Sequence, residues 1–341
     1  MSNRSVVGAA LAALSAAFGA TAPYAHAEIT IPTVFVGDAG NAGGPGFGAF
    51  GAVSYTYRVG TYEVTAGQYA AFLNAVARTD DNNLYNPSMA DIGSAVGCGI
   101  SRSGSSGSFS YTVHPDFVNR PVNYVSFWDA TRFANWMHNG QPTGLQTAST
   151  TEDGAYTLTP AGIAANTITR NATWQWAVAS NNEWHKAAYY RGGGTNAGYW
   201  TYATQSNTQP GRDPNDVSGN NANWRPVPLL PGQPLQVLPP YFTTPVGLFQ
   251  NSESAYGTFD QGGNVSEWTD TVLPTVSTAT RLVRGGAFFN DAGSMRSNVL
   301  GNNFPTDEAA GTGFRMTQIP APSAAMLFGL TTLTIARRRR R

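Results

Sequence analysis

Apolar residues recur with helical spacing in three stretches of the chain, and each stretch opens on a side chain suited to cap a helix. In TAGQYAAFLNAV, Tyr69, Phe72, Leu73 and Val76 fall at i, i+3, i+4 and i+7, and Thr65 stands three residues before Gln68 as a capping box. This spacing predicts a helix with one buried face. SFWDATRFANWM starts at Ser126, places Asp129 in the first turn, where a carboxylate suits the helix dipole, and presents Ala130, Phe133, Ala134 and Met137 before stopping near Gly140. SNNEWHKAAYY pairs Ser180 with Glu183 as a second capping box, ahead of an apolar stripe of Trp184, Ala187 and Ala188. Elsewhere the pattern gives short alternating strands and long Gly/Asn/Pro loops over 93–108, 192–223 and 226–245, with no repeat of fixed period.

Composition supports a loop-rich reading. Among 341 residues, 38 Gly and 21 Pro against only 12% charged residues predict many turns and irregular connections, while 41% hydrophobic content is enough for a sizeable core. The expected fold class is α+β: a single loop-rich domain over residues 51–317, preceded by a Gly-rich lead-in over 28–50.

The two ends differ from this body. Residues 1–27 carry Arg4, an apolar small-residue run and Ala25-His26-Ala27, the layout of a secretory signal peptide. Residues 318–341 hold Pro320-Ala321-Pro322, an apolar run from Ala324 to Ala336 and five terminal arginines. That tail resembles the PEP-CTERM sorting signal of exported bacterial proteins, with alanine in place of the usual glutamate. It implies export to the envelope, cell surface or matrix, with an exosortase-like processing enzyme as a partner. With Arg4 and Arg337–Arg341 set aside, 14 of the 20 basic residues face all 20 acidic ones, a net −6 that gives no footprint for nucleic acid. Cys98 is the only cysteine, so no intramolecular disulfide forms. His114, His138 and His185 lie on separate segments without metal-ligand spacing, and the tryptophans fall where core packing accounts for them.

Read in order, VGTYEVTAGQYAAFLN, RPVNYVSFWDATRFANWM, NNEWHKAAYYRGG, GTFDQGGNVSEW, RLVRGGAFF and GTGFRM resemble the formylglycine-generating enzyme family, the sulfatase-modifying factors. That family's pattern runs from a YEVT-helix segment through EAEWEYAARGG and GNVWEW to RGGS and GFR. The resemblance spans the body of the chain. It implies a single α+β domain with little regular structure, distantly like C-type lectins. It also implies oxidation of a client cysteine with molecular oxygen and a Cu(I) ion held by two cysteines, since a soft monovalent ion favours thiolates.

Laid on the family's RGGS-x-x-C-x4-C pattern, the serine position is Ala287 and the two cysteine positions are Asn290 and Met295. An amide oxygen and a neutral thioether supply no thiolate, so copper is not expected. Arg284, Asn290, Asp291 and Arg315 would line a groove over the Gly285-Gly286 bend, or Arg284 would pair with a carboxylate inside the fold, the reading the low charge content favours. The resemblance further implies a calcium site with Asp260 and Glu267 as side-chain ligands and Gly263 and Val265 as carbonyl ligands, alongside the plainer alternative of loop capping. Asn223 and Trp224 match part of the family's other calcium site, whose acidic ligand falls near Leu238, so one ion is expected.

The function expected from these residues is an exported surface protein with a non-catalytic domain that binds a peptide, glycan or matrix partner. The alternative is a divergent oxidoreductase acting on a protein or small thiol.

Overall fold

In the computed structural model of the chain, residues 28–44, 48–94, 96–226, 236–274 and 278–319 are described. The Thr65 box closes in both directions, with the Gln68 amide donating to the Thr65 hydroxyl at 3.2 Å and the Thr65 amide donating to the Gln68 side chain at 2.9 Å. It starts α1 (Ala66–Val76), which buries Tyr69, Phe72, Leu73 and Val76 as the spacing predicts. Ser126 starts α2 (Phe127–His138), where Asp129 does more than complement the dipole: it completes a capping box and is itself buried. Burial, with Glu308 nearby, pushes the Asp129 carboxyl up to about 7.

One helix was not legible. α3 (Pro160–Ala165) runs from a Thr159 cap to a left-handed Asn166 and buries no residue, so no apolar period marks it. α4 (Asn181–Tyr189) begins at the Ser180/Glu183 capping box.

The strands are short and come from distant parts of the chain. β1 (Thr33–Val36), β2 (Tyr57–Gly60), β10 (Met316–Gln318) and β5 (Trp176–Val178) form one antiparallel sheet in that order. The Gly-rich lead-in thus supplies an edge strand, with Val34 opposite Val59. β3 (Ile100–Ser103) and β4 (Ser110–Val113) pair as a hairpin where a loop over 93–108 is expected. The third sheet runs β8 (Gly301–Asn303), β7 (Arg281–Arg284), β6 (Ser266–Trp268) and β9 (Thr312–Phe314), with β6 and β9 parallel. The architecture is a single loop-rich α+β domain.

The main core lies between α1 and α2 and extends to β9. Phe133 packs edge-on to Phe72 at 5.4 Å and to Phe314 at 5.3 Å, geometry that aromatic quadrupoles favour. Among the described residues no helix is long and apolar enough to cross a membrane. The leader over 1–27 and the tail from residue 320 lie outside the described residues.

Candidate functional site

β7 runs into Gly285 and Gly286, both at positive φ (95° and 69°). A Cβ on Gly285 would sit 3.0 Å from the Gln261 carbonyl, and one on Gly286 would sit 3.1 Å from the Ser294 Cβ, so the bend needs both glycines. Beyond it the Ala287 amide donates to Asn290 Oδ1 at 2.8 Å, and the Asn290 amide returns a bond to the Ala287 carbonyl at 2.8 Å. Asn290 therefore closes the turn with the same amide oxygen that would have to face a ligand.

A cavity of about 410 Å³ opens over this bend, lined in part by Arg284, Gly286, Asn290, Ser294, Asn303 and Thr312. Phe289 also lines it and keeps 45% of its surface exposed. The four groove candidates divide. Arg284 and Asn290 border the cavity. Asp291 instead caps the short turn Ala292–Met295, accepting from the Ser294 amide at 3.1 Å. Arg315 lies fully buried away from the cavity.

Among the described residues Arg284 pairs with no carboxylate, contrary to the reading the low charge content favours. Its Nε donates to Asn181 Oδ1 at 2.7 Å, and its Nη1 donates to the Ser297 and Val299 carbonyls at 3.1 and 2.7 Å. Dipoles satisfy part of the guanidinium where an ion pair was expected.

The positions aligned with copper ligands have become structural. Met295 is 1% exposed and packs with Tyr202, Ala222, Trp224 and Ala292. Cys98, also 1% exposed, belongs to the separate main core, and burial pushes its thiol up to about 11. A thiol so held is neutral at ordinary pH. The donor set at the bend does not fit Cu(I).

The family model for the sulfatase-modifying factor enzyme 1-like domain matches residues 52–319. The chain belongs to that family. Among solved structures it is similar to "Crystal Structure of CarF", at 21% identity and a TM-score of 0.51, covering 86% of this chain and 99% of that one, a likeness that shows the fold. PvdO from Pseudomonas aeruginosa matches at 18% identity and a TM-score of 0.47, over 84% of this chain and 94% of that one. Treponema denticola variable protein 1 matches at 15% identity and a TM-score of 0.46, over 87% and 98%. No protein of curated function matches the chain.

Behind the bend, this sulfatase-modifying factor domain buries an acidic cluster around Arg315. Glu267, on β6, receives Arg315 Nε and Nη2 as a fork, the latter at 2.8 Å, and both side chains are 0% exposed. Trp184 Nε1 adds a bond to Glu267 Oε2 at 2.6 Å. Asp260, at positive φ, accepts the Gly247 amide at 2.6 Å. Sequence reasoning missed Glu63, the glutamate of the YEVT segment. Its Oε1 accepts from Asn264 Nδ2 at 3.2 Å, while its buried Oε2 has no hydrogen-bond partner. A glutamate directly ahead of a capped helix in an otherwise apolar stretch was the available signal.

Burial raises the Glu63 carboxyl well above the ordinary range, and the charges of Asp260 and Glu267 add to that. The Asp260 carboxyl is pushed up to about 6, again chiefly by burial, against the pull of the Gly247 amide and Arg315. Glu267 alone pairs with Arg315, Glu63 and Asp260 feel that charge through space, and one Glu63 oxygen is orphaned.

That donor set fits a hard dication such as Ca²⁺, which takes carboxylate and carbonyl oxygens. The fit is best at Glu63 and Asp260, because both Glu267 oxygens are already engaged. Gly263 and Val265 lie on the loop between Asp260 and β6. Among the described residues no group of three or more His, Cys, Asp or Glu is disposed to hold a metal, so backbone oxygens would have to complete any shell.

Proposed function

We propose that this is an exported, non-catalytic member of the sulfatase-modifying factor family whose cavity over the Gly285-Gly286 bend binds a peptide, glycan or matrix partner. One observation carries the reading: the cavity is open beside the bend while Asn290 is spent on the turn, Met295 is spent on packing and the sole thiol belongs to another core. An exposed aromatic, Phe289, next to amide and hydroxyl side chains suits uncharged polymers, which need a stacking face and hydrogen bonds. The leader over 1–27 and the PEP-CTERM-like tail support placement at the envelope, with processing by an exosortase-like enzyme.

The test incubates the purified body with Cu(I), oxygen and a cysteine-containing peptide. The expected result is no retained copper and no aldehyde-bearing peptide by mass spectrometry. Stoichiometric copper together with peptide oxidation would establish the oxidoreductase alternative.

Calcium has a structural part in the same proposal, with Glu63 and Asp260 as carboxylate ligands and Gly263 and Val265 as carbonyl ligands; Glu267 joins only by releasing Arg315. Two carboxyls held above their unfolded values cost stability as pH rises from about 4, and a bound dication removes that cost. Millimolar Ca²⁺ is therefore expected to raise the melting temperature by several degrees at pH 7 and by much less at pH 5, where protons already occupy the carboxyls. Glu63→Gln should abolish the response. A calcium-independent melting curve at pH 7 would remove the ion from the proposal.

A further inference from the structure

Arg284 raises a problem of charge that the fold leaves open. The guanidinium is 2% exposed, and among the described residues no carboxylate forms an ion pair with it. Glu267 stands opposite it in the β6–β7 register, but that carboxylate is held by Arg315 and Trp184. Arg132 and Arg315 each use Nε and Nη2, the same edge of the guanidinium, to grip a carboxylate. In Arg284 that edge meets Asn181 instead. Nε finds Oδ1 at 2.7 Å, while Arg284 Nη2 and Asn181 Nδ2 are both buried without a hydrogen-bond partner. An amide offers one acceptor where a carboxylate offers two, so its NH₂ group adds a donor on the side where a second acceptor is needed.

The Phe50 ring, 5.1 Å from the Arg284 guanidinium carbon, offers a π-face, and Glu183 lies in the first turn of α4, but neither accepts a hydrogen bond from Arg284 Nη2. Asn181 is the first residue of α4, at the positive end of the helix dipole. His185, one turn on, donates from Nε2 to the Ser297 carbonyl that Arg284 also uses, which leaves its Nδ1 buried without a partner, and burial together with Arg284 pushes its pKa down to about 3, so it carries no charge.

We infer that Arg284 Nη2 and Asn181 Nδ2 form a binding site for one small monovalent anion of the halide class, which serves as the internal counter-ion of Arg284. A buried cation with two unpaired donors at its edge is destabilising unless an anion accepts from both, and a neutral water supplies only the hydrogen bonds.

The test adds millimolar sodium bromide or chloride to the whole protein in gluconate at constant ionic strength. Melting temperature is expected to rise saturably by several degrees. Asn181→Asp, which places the second acceptor on the protein, should be as stable in gluconate as the native chain is in halide and should not respond to halide. Anomalous scattering from bromide-grown crystals should place one peak within hydrogen-bonding distance of Nη2 and Nδ2. A halide-independent melting temperature in the native protein overturns the proposal, since the position then holds water. A bromide peak without a solution response is an adventitious ion and overturns it equally. Both readouts use the native chain, so misfolding of the variant leaves the proposal exposed to refutation.

Discussion

Arg170→Ala should lower the melting temperature by on the order of 10 °C at pH 7. Arg170 is the shared partner of two buried carboxylates: Nη1 and Nη2 bond Glu183 at 3.0 and 2.9 Å, and Nε bonds Asp270 at 2.8 Å. Stranding one buried charge costs roughly 3–5 kcal/mol, and the two losses here overlap, so the total is at least about 4 kcal/mol. A domain near this size shifts by about 2–4 °C per kcal/mol.

The pH dependence separates this cause from lost packing. Burial alone would raise the Glu183 carboxyl, but Arg170 outweighs it and holds it below the ordinary value. Its contribution in the native protein is present above the unfolded value, near pH 4.3, and is lost as pH falls through the depressed folded value. In the variant the sign reverses for Glu183, because burial and repulsion from Asp270 now raise it, and Asp270, which burial already holds above its ordinary value, rises further, so protonation relieves the folded state. The gap between native and variant melting temperatures should therefore narrow as pH is lowered from 7 to 4. A gap that stays constant with pH would assign the loss to the contact between Arg170 and the Trp174 ring at 4.2 Å.

Glu183 also shows what the sequence could and could not reveal. Its role as the closing residue of a capping box is a matter of three residues' spacing, and the Ser180 amide duly donates to Glu183 Oε2 at 2.7 Å. The partners Arg170 and Tyr55 come from separate segments, and no local pattern announces them. The same division holds across the fold. α1, α2 and α4 were legible from caps and apolar period. The β3–β4 hairpin was not, because ISRS and SYTV carry few apolar positions and bury only Ile100 and Tyr111. At the site, the two glycines and the lost thiolates could be read one residue at a time, since each is a property of a side chain or its absence. The destination of Arg284, the burial of Arg315 and the membership of Glu63 depend on three-dimensional proximity. In each case the sequence gives the charge, and only the fold names the partner.

Arg315→Met breaks a fully buried ion pair, and it joins the ion-pair argument to the calcium proposal. Arg315 sits at 0% exposure, donates to the Gly60 and Phe259 carbonyls at 2.8 and 2.7 Å, pairs with Glu267, and is the positive charge nearest in effect to Glu63 and Asp260. Methionine fills much of the volume but leaves Glu267 buried without its ion pair and removes the positive charge that Glu63 and Asp260 feel, so the loss should exceed the roughly 3–5 kcal/mol of one broken pair and leave the chain largely unfolded at pH 7 without added metal. Two agents can then restore charge balance. Lower pH protonates the cluster, beginning with Glu63 and Asp260, whose folded values already lie high. A dication at those two residues would do the same at neutral pH. Circular dichroism melts of Arg315→Met across pH and Ca²⁺ concentration should show recovery along both axes, with a calcium shift larger than that of the native protein. Recovery with acid alone would keep the buried ion-pair account and discard the ion. A variant as stable as the native chain at pH 7 without metal would show that the cluster is not charged as described, and the case for calcium at Glu63 and Asp260 would go with it.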